Sequence, residues 1–188
     1  VAGTLNSGED VTDQRRADRE LEQMRWLLDR ARADRGPPEA PPQDYGDLTE
    51  LNTDGEMLAS VGADTLRELC CDCMSLVDTS VAVYERSGDY AAGMFVSGWC
   101  RLLDQASRRL CATQDNRAAL ASGRWLCHEC CWNESALPAI RSGEPTDIRC
   151  CGGVRLYAVP VVAEGEVVGA VNMAYGSPPE DPQQVGRV

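Results

Sequence analysis

The stretch "WLCHECCW", residues 125–132, holds three cysteines and the only histidine of the chain between two tryptophans. Cys127 and Cys131 are four residues apart, so they share one face if the segment is helical. Cys127 and Cys130 instead have the Cys-x-x-Cys spacing that is common at zinc and cluster sites. These residue types predict a metal site or a thiol redox switch, and ordinary packing is the alternative interpretation.

Cysteine is abundant throughout the chain, with ten among 188 residues. The first residues, "VAGTLNSGED", are polar and do not resemble a secretory signal, so the expected compartment is the reducing cytoplasm. Clustered cysteines in that compartment are more often metal ligands or redox groups than structural disulfides. An isolated cysteine such as Cys70 is interpreted as a small buried hydrophobe.

The charge of the chain argues against two classes of partner. A net charge of −12 and a pI near 4.5 would repel a polyanion, so nucleic acid is not expected as a direct partner. The sequence contains no apolar run of about 18 residues, so no membrane span is expected. We therefore expect a cytoplasmic protein that binds neither nucleic acid nor membranes.

The first segment, residues 1–35, carries a narrow apolar seam. Its members follow each other at spacings of 4, 3, 4 and 3 residues: Ala17, Leu21, Met24, Leu28 and Ala31. One narrow stripe cannot stabilise a lone helix in water, so the pattern predicts a coiled-coil homodimer through residues 11–35. The alternative is an amphipathic helix packed on its own domain. The proline-rich residues 36–47 are predicted to be a linker.

Residues 48–179 are predicted to form one globular domain, followed by a truncated exit segment, residues 180–188. Apolar periodicity predicts one or two helices in residues 53–78 and a helix in residues 99–111. A further helix is predicted in residues 113–123, with Thr113 as a candidate N-cap and Gly123 as its end. Residues 127–145 are predicted to be a short helix or an irregular segment.

Two hairpins complete the predicted domain. Apolar residues flank a turn at Ser87-Gly88 and another turn at Ala163-Glu164-Gly165. The fold class that follows is α+β, with an antiparallel sheet flanked by helices. The glycines of "CGGV", residues 151–154, predict a tight turn that brings Cys150 toward the other cysteines.

Several of these stretches resemble GAF domains. The ending "LYAVPVVAEGEVVGAVNMAYG", residues 156–176, resembles the GAF hairpin that lies in the central sheet beside the ligand pocket. The stretches "SGWCRLLDQASRRLC", "SGRWLCHECCW" and "DIRCCGGVRLYAVPV" resemble the Cys-rich sensory GAF domains of sensor histidine kinases and, more loosely, PocR-type sensory domains. The resemblance covers about residues 55–178 and implies a signal-sensing domain.

A second resemblance concerns the N-terminal segment. The stretch "GEDVTDQRRADRELEQM" looks like the end of a PAS domain that runs into a signalling helix. It implies a PAS domain upstream and a kinase or other output domain downstream in the full-length protein. The chain carries no kinase motif of its own, so no enzymatic activity is expected of it.

The GAF resemblance also implies a set of cysteine ligands. The family pattern corresponds to five cysteines of this chain: Cys100, Cys111, Cys127, Cys131 and Cys150. Cys130 stands where the usual motif has serine and Cys151 where it has asparagine, so these two, with His128, are alternative ligands. Thiolates suit Zn²⁺ or an iron–sulfur cluster, and the sequence does not choose between them.

Three alternatives remain open for the function. The cysteines could form a metal-free thiol–disulfide switch. They could also be structural, with a small molecule or, less favoured, heme in a pocket lined by four aromatic residues: Trp99, Trp125, Trp132 and Tyr157. The least favoured hypothesis is an enzyme similar to the free methionine-(R)-sulfoxide reductases, which have a GAF fold. The predicted signalling helix argues against this hypothesis.

Overall fold

The computed structural model describes residues 45–77, 80–96 and 98–177. These residues all belong to one of the two units into which the chain divides, Pro38–Val188. The predicted coiled coil, the linker up to residue 44 and the exit segment lie outside the described residues. Their interpretation stays a prediction from the sequence.

Five antiparallel strands form one sheet in the order β2-β1-β5-β4-β3. Their bounds are Ser80–Glu85 for β1, Tyr90–Val96 for β2, Thr146–Arg149 for β3, Arg155–Ala163 for β4 and Glu166–Tyr175 for β5. Together with its flanking helices, this sheet confirms the predicted α+β class. The sequence analysis missed β3, because its four residues, "TDIR", include one apolar side chain and show no apolar run.

Both predicted hairpins are confirmed. The first turns at Ser87-Gly88 between β1 and β2, where Gly88 has a φ of +100°. The second joins β4 to β5 through Glu164 and Gly165, whose φ angles of +51° and +87° are the two positive values that a type I′ turn requires. The second hairpin places β5 in the middle of the sheet, between β1 and β4.

One face of the sheet is covered by two helices, α1 (Glu56–Val61) and α2 (Ala63–Val77). Gly62, with a φ of +90°, separates them, which confirms the prediction of one or two helices in this stretch. Val81 and Val83 of β1 point to this face. The buried core there also includes Met57, Leu66, Cys70, Cys73, Val168 and Val171.

The opposite face is covered by helices that carry four of the ten cysteines, Cys100, Cys127, Cys130 and Cys131. Their bounds are Gly98–Arg109 for α3, Asn116–Leu120 for α4, Leu126–His128 for α5, Glu129–Ala136 for a π-helix and Leu137–Ser142 for α6. The last three follow one another without a break and are called helix 126–142 below. Ala82 and Tyr84 of β1 pack against this layer, as the alternation of side chains along a strand requires.

Two local predictions need correction. The N-cap of α4 is Asp115 rather than Thr113, because Asp115 Oδ1 accepts the Ala118 N–H at 2.6 Å. Helix α4 ends at Leu120, so it stops before the predicted end at Gly123. The stretch that was predicted to be short or irregular is instead part of helix 126–142.

Within residues 45–77, 80–96 and 98–177, no helix is both long enough and apolar enough to cross a bilayer.

A cysteine-lined cavity as the candidate functional site

Six cysteines line one cavity of about 30 Å³ between the helix layer and the sheet. They are Cys100, Cys127, Cys130, Cys131, Cys150 and Cys151. The rest of the wall consists of apolar side chains together with Ser80 and the carboxylate of Asp104. The thiols of three separate segments therefore face a common space.

Helix 126–142 supplies three of these cysteines. Cys127 lies in α5, and Cys130 and Cys131 begin the π-helix, so all three lie within about one turn on the same side of the helix. The Leu137 N–H bonds to the Trp132 carbonyl, five residues earlier, which is the wider turn of a π-helix. The segment is helical, so the condition under which Cys127 and Cys131 share a face is met.

A tight turn after β3 supplies Cys150 and Cys151. The Cys150 N–H donates to the Val154 carbonyl at 2.9 Å, and the Gly153 N–H donates to the Cys150 carbonyl at 3.0 Å. A Cβ atom at Gly152 would lie 2.3 Å from Leu103 Cδ1, so a larger residue there would require the Leu103 side chain to move. The predicted tight turn at "CGGV" is confirmed.

Helix α3 supplies Cys100 and is joined to the other two segments by hydrogen bonds. The Trp99 indole N–H donates to the Gly152 carbonyl at 3.1 Å. The Ser107 hydroxyl donates to the Asp104 carbonyl at 3.0 Å and accepts the Cys127 N–H at 3.4 Å. These bonds hold α3, helix 126–142 and the turn around the cavity.

Four of the cavity cysteines are called the quartet below, because negative charge on one would disfavour the ionisation of another: Cys100, Cys127, Cys131 and Cys150. Burial raises the pKa of Cys131 well above its usual range, and negative charge on Cys127, Cys150 or Cys100 would raise it further. Burial also raises the pKa of Cys127 and of Cys150. Cys127, Cys131 and Cys150 therefore hold their protons more tightly than a thiol in water, chiefly because burial disfavours the charged form and also because nearby negative charge would repel it.

The two remaining cavity cysteines, Cys130 and Cys151, contact each other. The Cys151 N–H donates to Cys130 Sγ at 3.5 Å. The pKa of Cys130 is raised, first by a hydrogen bond between the two thiols and then by burial. Cys130 and Cys151 are therefore a second group within the same cavity wall.

The thiols line the cavity without already surrounding one point. Among the described residues, no group of three or more histidine, cysteine, aspartate or glutamate side chains is arranged so that it could hold a metal ion. The donor set is nevertheless chemically suited to a soft metal, because thiolates are the preferred ligands of zinc and iron–sulfur centres. Binding of such a centre would require the cysteine side chains to move closer to one another.

Asp104 is a site residue that the sequence analysis missed. Its carboxylate is 2% exposed, accepts the Trp125 indole N–H at 2.8 Å and accepts the Tyr45 hydroxyl. Burial raises the pKa of Asp104, although its hydrogen bonds act in the opposite direction. The sequence signal was weak, because an aspartate within an amphipathic helix usually faces solvent.

His128 lies next to the cysteines in sequence but is not part of the cavity wall. Its Nδ1 atom is 2.9 Å from the Tyr90 hydroxyl, which also accepts a hydrogen bond from Tyr84. Burial lowers the pKa of His128 to about 4. The imidazole is therefore neutral at pH 7 and engaged with Tyr90.

Cys111, the fifth predicted ligand, does not line the cavity, although Cys127 and Cys131 pack against the core cluster to which it belongs. Its thiol donates to the Ser107 carbonyl at 3.7 Å, and its side chain packs in the core that includes Trp125. Cys70 and Cys73 of α2 are buried on the other face of the sheet. These cysteines occupy core positions, which is the packing interpretation that the sequence analysis gave for Cys70.

The four aromatic residues predicted to line a ligand pocket are dispersed. Trp125 is fully buried and stacks edge-on against Tyr45. Trp132 packs against Tyr84, while Trp99 bonds to the turn and Tyr157 lies in β4. None of the four is among the residues that line the cysteine cavity.

A larger cavity of about 330 Å³ lies elsewhere on the surface and is open to solvent. It is lined by the end of α3, the residues that follow it, and Tyr45. Its wall is mainly polar and includes the side chains of Arg108 and Arg109. This cavity is distinct from the pocket that the aromatic residues were predicted to form.

Comparison of the chain with family models, with curated proteins and with solved structures finds no match.

Proposed function

We propose that this chain is a sensory domain of the GAF type, in which the quartet holds a metal ion or an iron–sulfur centre. The observation that carries the proposal is the convergence of six thiols on one small cavity. They come from α3, helix 126–142 and the turn after β3, which are separate in sequence. Core packing alone does not require six cysteines at one place, because apolar side chains fill the same space without the reactivity of a thiol.

The electrostatics of the quartet favour a bound cation. Burial raises the pKa of Cys127 and of Cys131, so at neutral pH these two thiols are protonated and weakly nucleophilic. A metal-free switch that begins at Cys127 or Cys131 would start from such a protonated thiol. A bound divalent cation, or the iron of a cluster, would favour the thiolate over the protonated thiol, because its positive charge stabilises several thiolates at once.

The size of the cavity favours a compact inorganic centre over an organic ligand. Pockets for small organic molecules usually measure about 300–1,000 Å³, whereas this cavity measures about 30 Å³. Heme or a similar molecule would require extensive repacking of the helix layer. The larger surface cavity next to Tyr45 is the alternative location for a small organic ligand.

The signalling role rests on the GAF resemblance and on the place of the cavity in the fold. The β4–β5 hairpin, which carries that resemblance, lies in the centre of the sheet, and the cavity touches β4 and β5 through Leu156 and Ala174. Gain, loss or oxidation of a centre would shift α3 against helix 126–142. We propose that a homodimer formed through residues 11–35 transmits this shift between an upstream PAS domain and a kinase or other output domain, in the cytoplasm.

The test is elemental analysis and a UV–visible spectrum of the chain purified without oxygen. Iron and sulfide with broad absorption near about 400 nm would identify a cluster. About one zinc per chain without a visible band would identify a zinc site. Absence of both metals, with all thiols titratable, would overturn the proposal.

A variant series connects the metal to the quartet. Cys100→Ser, Cys127→Ser, Cys131→Ser and Cys150→Ser should each lower the bound metal by at least about tenfold at limiting supply. Cys111→Ser is the matched control, because it removes a buried thiol outside the cavity, and it should retain the metal. Equal loss in the control and in the quartet variants would contradict the assignment.

A further inference from the structure

The cavity contains two pairs of sequence neighbours, Cys130–Cys131 and Cys150–Cys151, and the structure divides each pair. Cys131 and Cys150 belong to the quartet, whereas Cys130 and Cys151 contact each other across the gap between helix 126–142 and the turn. The quartet already supplies the four thiolates that a tetrahedral zinc or an iron–sulfur cluster uses. Cys130 and Cys151 are thus left without a role as ligands.

We propose that Cys130 and Cys151 form a peroxide-sensitive dithiol that closes to a disulfide beside the quartet. The Cys151 N–H donates to Cys130 Sγ at 3.5 Å, while the Cys151 thiol itself donates to the Leu126 carbonyl at 4.0 Å. A disulfide within either pair of sequence neighbours would be strained, because the short chain between the two sulfurs restricts the dihedral angle that the bond prefers. The cross-pair is not restricted in this way, because its members lie 21 residues apart.

The two cysteines differ in access to an oxidant. Cys130 is 5% exposed, whereas Cys151 is half-buried and lies on the turn. Cys151 therefore meets a hydroperoxide first, and Cys130 is the partner that completes the disulfide. This order gives each cysteine a separate part in one reaction.

The reaction balances with a hydroperoxide as the two-electron oxidant. The Cys151 sulfur, having lost its proton, attacks the terminal peroxide oxygen and breaks the O–O bond, which yields a sulfenic acid and an alcohol, or water from hydrogen peroxide. The Cys130 sulfur then attacks the Cys151 sulfur, forms the S–S bond and displaces the hydroxyl group as water. Overall, two thiols and one hydroperoxide give one disulfide, one alcohol and one water.

The disulfide would act on the quartet through its neighbours. Cys131 follows Cys130 directly, and Cys150 precedes Cys151 directly. A covalent bond between the π-helix and the turn would therefore set the separation of two quartet members. The inference adds a peroxide input to the proposed function, but the dithiol itself does not depend on a bound centre.

The test uses the full chain, reduced and then treated with hydrogen peroxide, alkylated, and digested with trypsin without reductant. Cleavage after arginine gives the peptides 125–141 and 150–155, which hold the two candidate partners. The expected product is these two peptides joined by one disulfide, with fragmentation that assigns the bond to Cys130 and Cys151. A bond to other cysteines, or no cross-link at all, would overturn the inference.

Adjacent cysteines in the same peptides provide matched controls. Cys130→Ser and Cys151→Ser should each abolish the cross-link, whereas Cys131→Ser and Cys150→Ser should retain it. The opposite pattern would overturn the inference. Circular dichroism of each variant checks the fold, and if Cys130→Ser does not fold, the half-buried Cys151→Ser decides the outcome.

Metal content separates this inference from the proposed function. Cys130→Ser and Cys151→Ser should bind the wild-type amount of metal if the quartet is the site. Loss of metal in both variants would make these cysteines ligands and overturn the inference while the metal proposal survives. A cross-link in a chain that binds no metal would support the dithiol and contradict the metal centre.

Discussion

At the scale of single residues, the polar groups beside the cavity form a hydrogen-bonded wall. Asp104 accepts from Trp125 and from Tyr45, and its carboxylate faces the cysteines. Tyr45 also accepts the Asn116 side-chain N–H through its carbonyl at 2.7 Å. Tyr45 is therefore attached directly to the wall of the candidate site.

Removing the Tyr45 hydroxyl should destabilise the domain. Tyr45→Phe takes one donor away from a buried carboxylate, which should lower the free energy of unfolding by about 1.5–3 kcal/mol. Tyr175→Phe is the control, because that hydroxyl also donates to a carboxylate, Asp147, but at an exposed edge of the sheet. Its expected cost is below about 1 kcal/mol. Denaturant unfolding measures both, and equal costs would contradict the role of Asp104 in the wall.

A second chain of hydrogen bonds runs through the core behind the cysteines. Tyr84 donates to Tyr90 at 3.3 Å, which leaves the Tyr90 proton for Nδ1 of the neutral His128 at 2.9 Å. Tyr90 is the middle member, so its loss affects two neighbours. Tyr84 is the terminal donor.

The position of each tyrosine in this series of hydrogen bonds predicts which of two matched substitutions lowers the free energy of unfolding more. Tyr90→Phe leaves both the Tyr84 hydroxyl and His128 Nδ1 without a buried partner, and each costs about 1–3 kcal/mol. Tyr84→Phe removes one long bond and leaves the Tyr90–His128 bond intact, so its cost should be about 1 kcal/mol. Thermal and denaturant unfolding compare the two, and a larger cost for Tyr84→Phe would refute the direction of the chain.

At the scale of secondary-structure elements, close packing of α1 on the sheet depends on one glycine. Gly169 in β5 pairs with Glu85 of β1 and lies under Met57 of α1. A Cβ atom there would lie 2.2 Å from the Tyr84 carbonyl oxygen and 2.4 Å from Met57 Cε. Because the Tyr84 carbonyl belongs to the backbone of β1 and cannot move aside easily, this contact disfavours any residue larger than glycine at position 169.

Gly169→Ala should therefore be costly, whereas a second strand glycine should tolerate the same change. We expect Gly169→Ala to lower the free energy of unfolding by about 2–3 kcal/mol, because overpacking forces β1 and α1 to shift. At Gly93 in β2, nothing lies within 4 Å of a built Cβ atom, so Gly93→Ala should stay within about 0.5 kcal/mol of the wild type. Similar stabilities of the two variants would show that the sheet and α1 adjust to the methyl group.

The same α1 is also anchored by a buried carboxylate. Glu85, at the end of β1, is fully buried and accepts the Met57 N–H at 2.6 Å and the Asn52 side-chain N–H at 2.9 Å. These bonds satisfy a backbone donor at the start of the helix, which has no partner within the helix itself. Elements on this face are therefore fixed by polar contacts as well as by apolar packing.

At the scale of the whole molecule, a centre bound by the quartet would join three segments. Ligands from α3, helix 126–142 and the turn exist together only in the folded chain. A ligand that binds only the folded state raises its stability according to its free concentration. Metal supply should therefore be visible in global unfolding.

Adding the metal at a free concentration about 100 times its Kd should raise the free energy of unfolding by about 2.7 kcal/mol. A chelator should reverse the gain. Cys111→Ser should keep this metal dependence, and Cys127→Ser should lose it. If neither added metal nor chelator changes the midpoint of unfolding, the result would contradict a bound centre in this cavity.

The predicted dimer is tested by charges on the N-terminal seam. Leu21→Asp with Leu28→Asp places like charges at two seam positions, so light scattering after size-exclusion chromatography should show a monomer. Gln23→Asp with Arg30→Asp adds the same side chains away from the seam and should remain dimeric. A dimer in both double variants would assign the interface to another surface.

Local chemistry in the sequence was sufficient for much of this protein. Strand β3 was missed and the helical state of the segment with Cys127 and Cys131 was left open, but the strands of the two hairpins and their glycine-containing turns at Ser87-Gly88 and Glu164-Gly165 could be predicted directly. Each depends on neighbours within a few residues, so no tertiary information is required. The α+β class follows from those elements in order.

Tertiary structure decided which of the cysteines meet. Their grouping depends on how α3, helix 126–142 and the 150–154 turn pack, which no local pattern encodes. That packing brings the quartet together, pairs Cys130 with Cys151, leaves Cys111 in the core and turns Asp104 inward. The residue types predicted a thiol site, but only long-range packing assigned each thiol its neighbours.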